Sequence, residues 1–340
     1  MGWLTEIFQE LRRDIMRRTR WPIAFLGNSR WRLFFCILPS LLILTSMLWA
    51  ADLRVGTWKT AQTIQPFFYQ RFLPPSHKAL VSTFTNPGDQ KVALLAGSLD
   101  MAGTTIALAI QAASRGEPVV VVAALCNRCS ALVVKSDGPI LKVSHLKRRR
   151  IGYVPGTMHE ILLREVLTRE GLSPERDVQL VRVDFFDMGL ALARGSIDAF
   201  LSGEPFPTLA RSQGFGRILA YPYYDDSIGT INAGMLVTRQ TISTRPDHVK
   251  EMVRAHAQAT EHLRRHPEEW LHRASEFGIS MEILEESSRN IELAWKMDKS
   301  FVDKARKLGD RMQALGMIDK QPDYGRLFDL SFVNLVGNVP

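Results

Sequence analysis

ALLAGSLDMAG at residues 93–103 returns as ALARGSIDAFL at 191–201, with Gly97, Ser98, Leu99 and Asp100 matching Gly195, Ser196, Ile197 and Asp198. The echo runs on in both directions. Upstream, LRVGTW (53–58) matches RRIGYV (149–154), and KALVSTF (78–84) matches VQLVRVD (178–184). Downstream, VVVVAAL (119–125) matches RILAY (217–221). Each half therefore reads as strand, helix, strand, short helix, G-S-[L/I]-D, strand, helix, strand. In both halves the Gly suits the C-cap of a short helix, and the Asp suits a turn at a strand start rather than a catalytic acid.

Short apolar strands that alternate with amphipathic helices predict parallel sheets covered on both faces. In the first half the helices are expected at 63–72, 89–96 and 105–116; in the second, at 158–170, 187–195 and 206–214. Two similar halves imply an α/β protein of two lobes with a cleft between them. ALVVKSD (131–137) and GMLVTRQ (234–240) are expected to be the strands by which the chain crosses between lobes. Lobe 1 is then 52–136 with 234–340, lobe 2 is 137–233, and 1–51 is a flank outside the fold. After 245 the pattern turns helical and charged.

That flank contains LFFCILPSLLILTSMLWAA (33–51), an apolar run without a charge, preceded by Arg30 and Arg32. A basic region followed by an apolar core describes an export signal, and the run is also long enough to stay as an uncleaved anchor. Either way the positive charge stays inside and the residues after 51 lie outside the cytoplasm. The first 50 residues hold 7 Arg/Lys against 3 Asp/Glu, half of the chain's net +8, so the remainder is only mildly basic. KRRR (147–150) leads into the apolar IGYV without interleaved aromatics, which describes a solvated loop before a strand rather than a nucleic-acid patch. With 46% hydrophobic and 23% charged residues, the chain is of ordinary globular composition. Beyond the flank the cysteines are Cys126 and Cys129, in CNRC. In an oxidising compartment two close thiols are expected as a disulfide; one C-x-x-C is half a zinc site.

In open α/β sheets ligands sit beyond the carboxyl ends of the strands. Those ends are read at 57–62, 102–105, 126–130, 154–159, 202–207 and 231–234, all rich in small or polar residues. One of them opens PGTMHEILLREVLTREG (155–171), in which Thr157 and Glu160 have the spacing of a capping box. A helix start carries unpaired N–H donors and roughly half a positive charge, so it favours an anionic group. His159 adds a possible charge-assisted hydrogen bond, Trp58 a stacking wall and Lys59 a positive charge.

This layout resembles the periplasmic solute-binding proteins of ABC importers, in particular the nitrate/taurine/alkanesulfonate-type family, which also contains thiamine-pyrimidine-precursor binders. The resemblance is carried over 52–335 by GSLDMAG, by ALVVKSDGPILKVSHLKRRRIGYVPGTMHEILLREVLTREGL, by ARGSIDAFLSGEPFPTLA and by the late ALGMIDKQPDY. It implies the two-lobed periplasmic-binding-protein (type II) fold, closing on a small ligand, here expected to be anionic, and delivering it to a membrane permease and its ATPase subunits. The implied protein is an exported monomer that needs no cofactor and no metal. By position, the ligand-binding residues are expected to be Trp58, Lys59, Gln62, Gly103, Thr104, Thr105, Gly156, Thr157, Met158, His159, Glu204, Phe206 and Asn232.

Enzyme signatures fail on inspection. His159-Glu160 is followed by Ile-Leu-Leu, so H-E-x-x-H is not met, and neither G-x-S-x-G nor a phosphate-binding G-x-x-x-x-G-K-[S/T] occurs. CNRC is not the dense cysteine cluster of the superfamily's pyrimidine-building enzyme. The rival reading is a membrane-anchored metal or redox module using Cys126 and Cys129 with Met101 and His159.

Overall fold

Six strands of the computed structural model, which describes residues 51–337, line up as one sheet in the order β11-β4-β10-β3-β1-β2, and five more as a second sheet in the order β7-β6-β8-β5-β9. The first sheet comprises β1 (Ala51–Trp58), β2 (His77–Phe84), β3 (Met101–Thr105), β4 (Val119–Arg128), β10 (Ile231–Thr238) and β11 (Ile291–Leu293). The second comprises β5 (Ser130–Lys135), β6 (Arg150–Tyr153), β7 (Gln179–Arg182), β8 (Ala199–Gly203) and β9 (Gly216–Ala220). In each, three strands run parallel around a central one: β1 between β2 and β3, β6 between β7 and β8. In each, one antiparallel strand is then inserted, β10 between β3 and β4, and β5 between β8 and β9. This is the α/β periplasmic-binding-protein fold, and the echo in the sequence is an echo in topology.

The repeated Asp shows why the echo is kept. Arg54 N–H donates to Asp100 Oδ2 at 3.0 Å, and Asp100 N–H donates back to the Arg54 carbonyl at 2.8 Å. In the second sheet Arg150 N–H donates to Asp198 Oδ2 at 2.8 Å, and Asp198 N–H donates back to the Arg150 carbonyl at 2.8 Å. Each Asp stands just before a parallel strand, β3 or β8, and pairs there with the backbone of the central strand beside it, satisfying groups that the sheet leaves unpaired.

The helices that cover the sheets fall close to their expected places: α1 (Pro87–Leu95), α2 (Ile106–Ser114), α3 (Met158–Arg169), α4 (Met188–Ala193) and α5 (Phe206–Ser212). Residues 63–72 instead form short 3-10 turns, Ala61–Thr63 and Gln65–Arg71. β4 is buried from Val119 to Cys126, as a strand covered on both faces must be. The C-terminal helices, among them Pro246–Arg265 and Lys299–Ala314, pack with the first sheet; His256, fully buried, accepts from Tyr69 Oη at Nδ1 (2.9 Å) and donates from Nε2 to the Ala124 carbonyl at 2.8 Å.

The chain changes sheets earlier than expected. ALVVK belongs wholly to the second sheet as β5, and the crossing is at Cys129, between β4 and β5, not near 136. Arg128 (φ 59°) and Cys129 (φ 76°) adopt left-handed backbone conformations there, rare for residues with a side chain. The return passes through 221–230 and enters the first sheet as β10. Asn232 ties the two crossings together, its Nδ2 donating to the Arg128 carbonyl at 2.6 Å. The apolar run 33–51 lies outside the described residues except for Ala51, which begins β1. Among the described residues no helix is long and apolar enough to cross a membrane.

Candidate functional site

Between the carboxyl ends of the two parallel trios lies a narrow cavity, with a volume of only about 20 Å³ open to a water-sized sphere. From the first sheet it is lined by Trp58, Thr60, Gln62, Phe84, Thr85 and Thr105, and from the second by His159, Phe185, Phe186, Gly203 and Phe206. Trp58 ends β1, and Gln62 follows in a turn that Thr57 and Thr63 fix: Thr57 Oγ1 donates to the Thr63 carbonyl at 2.6 Å, and Thr63 Oγ1 to the Trp58 carbonyl at 3.1 Å. Thr105 caps α2, accepting from Leu108 N–H at 3.3 Å.

His159 enters from the first turn of α3. Its Nδ1 is 3.0 Å from Ser130 Oγ, its ring meets Phe185 edge-on at 5.2 Å, and its Nε2 lies beside Gly203. A Cβ at Gly203 would stand 3.2 Å from His159 Nε2 and 3.3 Å from Gln62 Oε1, so glycine lets these two polar groups converge from opposite lobes. Burial holds the imidazole down at about 4, which keeps it neutral at physiological pH. Two further groups matter: Trp58 Nε1 and Gln62 Oε1 are buried without a hydrogen-bond partner. Buried polar groups are nearly always paired, so unpaired ones on residues that line a cavity mark a candidate place for a ligand.

Several expected site residues do other work. Lys59 is exposed and does not line the cavity. Gly103 is packed under Leu125, and Met158 is core. Thr104 is buried, with Oγ1 unpaired, but is not part of the lining. Asn232 serves the crossing, its Nδ2 also 2.9 Å from Cys129 Sγ. Glu204 faces away, into a second recess with Arg211 and Asn290; its Oε2 accepts from Thr208 N–H at 3.2 Å, its Oε1 from Asn290 Nδ2 at 3.3 Å, and burial pushes its carboxyl up to about 7.

The helix mouth also differs from the capping box its spacing describes. Thr157 Oγ1 donates to the Val154 carbonyl at 2.8 Å and caps nothing. Glu160 Oε2 accepts from Gly156 N–H at 2.7 Å, one residue earlier than a capping box requires, and Arg164 pairs with Oε1 at 2.9 Å. Gly156 needs its φ of +74° to present that N–H.

Cys126 and Cys129, expected as a disulfide, stand as buried free thiols, and burial raises the Cys129 thiol well above its ordinary value. They do not form a metal-ligand group with His159; among the described residues only His266, Glu268 and Glu269 are arranged closely enough for that.

Phe84, Phe185 and Phe186, unlike Phe206, are not among the residues expected from the sequence. Phe84 ends β2 and Phe185-Phe186 follow β7, the equivalent strand of the other half, so the echo that located the other strand ends also pointed to these.

The fold and cleft define a class, two lobes around a narrow cleft, and comparison supplies the family. Residues 80–270, more than half of the chain, match the family described as NMT1/THI5 like, and the chain belongs to it. Among curated proteins it is similar to the nitrate import ATP-binding protein NrtC of Synechococcus elongatus, 42% identical over 66 residues, covering 19% of this chain and 10% of that one. The chain thus matches only a small part of that relative's length. Of solved structures, the alkanesulfonate-binding protein SsuA of Xanthomonas axonopodis bound to MOPS aligns with a TM-score of 0.73 at 21% identity, over 82% of this chain and 98% of that one. The periplasmic nitrate-binding protein NrtA of Synechocystis aligns at 0.69 and 15% identity, over 84% and 88%. The desulfurization enzyme DSZB aligns at 0.64 and 15% identity, over 84% and 98%. At these identities the likeness is one of fold.

Proposed function

We propose that the chain is the extracytoplasmic solute-binding component of an ABC importer, capturing one small molecule in the interlobe cleft and delivering it to a permease driven by ATPase subunits. The observation that carries this reading is the pair of unpartnered buried groups, Trp58 Nε1 and Gln62 Oε1, in a cavity whose walls come from both sheets. Family membership supports it, as do the binding proteins among the structural neighbours. Residues 33–51 carry the folded part out of the cytoplasm, as a cleaved signal or a retained anchor, and the lobes meet at Cys129 and 221–230.

The narrowness of the cavity supports reading this as a closed form, with entry by hinge opening at the two crossings. The chain acts as a binder rather than an enzyme. The one Ser–His pair at the site, Ser130 and His159, has its serine fully buried and outside the cavity lining, so it cannot meet a substrate. The test is mass spectrometry of small molecules retained through gentle purification, followed by calorimetric titration of the recovered compound. One molecule bound per chain, with an increase in melting temperature, is expected; a chemically altered product released at substoichiometric protein would point to catalysis instead.

A further inference from the structure

We propose that the cleft selects an uncharged, flat molecule whose polar edge carries both a hydrogen-bond donor and an acceptor, as a carboxamide or lactam does. This rests on the solute-binding reading. No Asp, Glu, Lys or Arg is among the lining residues. None of the three features that would welcome an anion offers a full positive charge to the cleft. Lys59 is exposed and outside the lining, and the His159 imidazole is neutral. At the start of α3, Gly156 N–H is already donated to the Glu160 carboxylate at 2.7 Å, so the positive end of that helix has a negative neighbour. A charged group brought here would lose its water and meet no countercharge, and that cost is large.

What the walls do offer is complementary and neutral. Trp58 Nε1–H is a donor only, so the ligand must present an acceptor to it; Gln62 Oε1 is an acceptor, so the ligand must present a donor. Phe84, Phe185 and Phe206 supply apolar faces for a planar body. Binding that leaves either polar group unpaired forfeits much of its gain, which is why such sites discriminate strongly between near-isosteres.

The experiment titrates the full-length protein in mild detergent with benzamide, with benzoate, which is nearly isosteric but anionic and lacks the donor, and with nitrate. Gln62→Leu and Trp58→Phe are run beside the wild type, with melting temperatures to confirm folding. Benzamide should bind at least tenfold more tightly than benzoate or nitrate, and each variant should shrink that preference to under threefold. Benzoate or nitrate binding as tightly as benzamide overturns the inference and leaves solute capture standing. A benzamide preference that survives in both folded variants overturns the assignment of the polar edge to these residues. Failure of benzamide to bind, while the compound retained through gentle purification still binds, overturns the inference alone; only the absence of any retained or titratable compound overturns the cleft reading as well.

Discussion

His159 Nδ1 lies 3.0 Å from Ser130 Oγ, joining the first turn of α3 to the first residue beyond the sheet crossing. Both residues are buried and belong to the second lobe. The bond therefore orients the ring that meets the first lobe's Gln62 across Gly203. Ser130→Ala should cost about 1 kcal/mol of stability for the lost hydrogen bond. It should also weaken ligand binding severalfold, because the imidazole is no longer held to one tautomer and orientation. Denaturant unfolding and calorimetry check the two effects separately. An unchanged affinity would mean that Phe185 packing alone positions the ring.

Gly156 is the point at which the structure revises the chemistry of the helix mouth. Were its N–H aimed at a ligand, Gly156→Pro would abolish binding and leave the fold intact. Since the N–H is held by Glu160 and φ is +74°, proline removes a charge-assisted hydrogen bond and cannot adopt the backbone angle. The expected outcome is a loss of about 2–4 kcal/mol of stability. Gly156→Ala should lose about 1–2 kcal/mol, from the backbone angle alone, because its Cβ would meet only Gln111 and Leu108 at ordinary contact distances of 3.6 and 3.7 Å. Melting curves of both variants decide it; a fully stable proline variant would return the N–H to the ligand.

The two aspartates of the echo should not be equivalent. Asp100 has no side-chain exposure and pairs with both Arg54 and Arg245, whereas the Asp198 side chain is 25% exposed and pairs with Arg150. Burial alone would raise the Asp100 carboxyl, yet the hydrogen bonds from Arg54 and the charge of Arg245 outweigh it and hold the group below the usual carboxylate range. Asp100→Ala leaves guanidinium and backbone groups unpaired and should cost about 3–5 kcal/mol; Asp198→Ala should cost about half as much or less. Equal losses in urea titrations would make the echo a matter of turn geometry alone.

What the sequence conveyed well was whatever repeats. Two copies of strand, helix and G-S-[L/I]-D located both parallel trios, because a strand buried on both faces is apolar throughout and a strand start needs its Asp. The first crossing was less legible. ALVVK is as apolar as β4, and nothing in its pattern says which sheet covers it; only the left-handed pair Arg128 and Cys129 marks the turn, in residue types that do not advertise such angles. At the site, Trp58, Gln62, Thr105, His159 and Phe206 follow from strand ends that carry polar or small residues. Phe84, Phe185 and Phe186 were hidden because a phenylalanine beside a strand reads as core. The hydrogen bond of Glu160 was hidden because spacing does not say which of two adjacent N–H groups a carboxylate takes.

Stability should respond to pH through three buried groups of two opposite signs. His159 and His256 are each held at about 4, below an ordinary imidazole, so the unfolded chain binds more protons between about 4 and 6.5. Their contribution to stability is full above 6.5 and is lost as pH falls through that window. Glu204 is raised to about 7, so between about 4.5 and 7 the folded state binds the extra proton, and its contribution is lost as pH rises. With two groups against one, stability should rise from pH 4.5 to 6.5 and then fall slightly to 7. Glu204→Gln should steepen the rise and remove the fall. Chemical denaturation at half-unit intervals checks this, and an unchanged profile in the variant would place the Glu204 carboxyl at an ordinary value.

Trp58 offers a test in which stability and binding move apart. Its Nε1–H is buried without a partner, and an unpaired buried donor costs about 1–3 kcal/mol relative to the same group in water. Trp58→Phe deletes the donor while keeping a ring in the wall, at the expense of some buried area. The donor's relief and the lost packing should nearly cancel, leaving the ligand-free variant within about 1 kcal/mol of wild type. Binding has no such compensation. A ligand acceptor that met the indole N–H now meets a ring, and affinity should fall at least tenfold, about 1.4 kcal/mol or more. Residues that serve only the core show the reverse pattern, with stability lost and affinity for the native ligand nearly kept. Melting temperatures without ligand and titration calorimetry with it place Trp58 in one class or the other. A variant that melts much earlier yet binds as well as wild type would make the indole a core residue and leave its unpaired donor without a function.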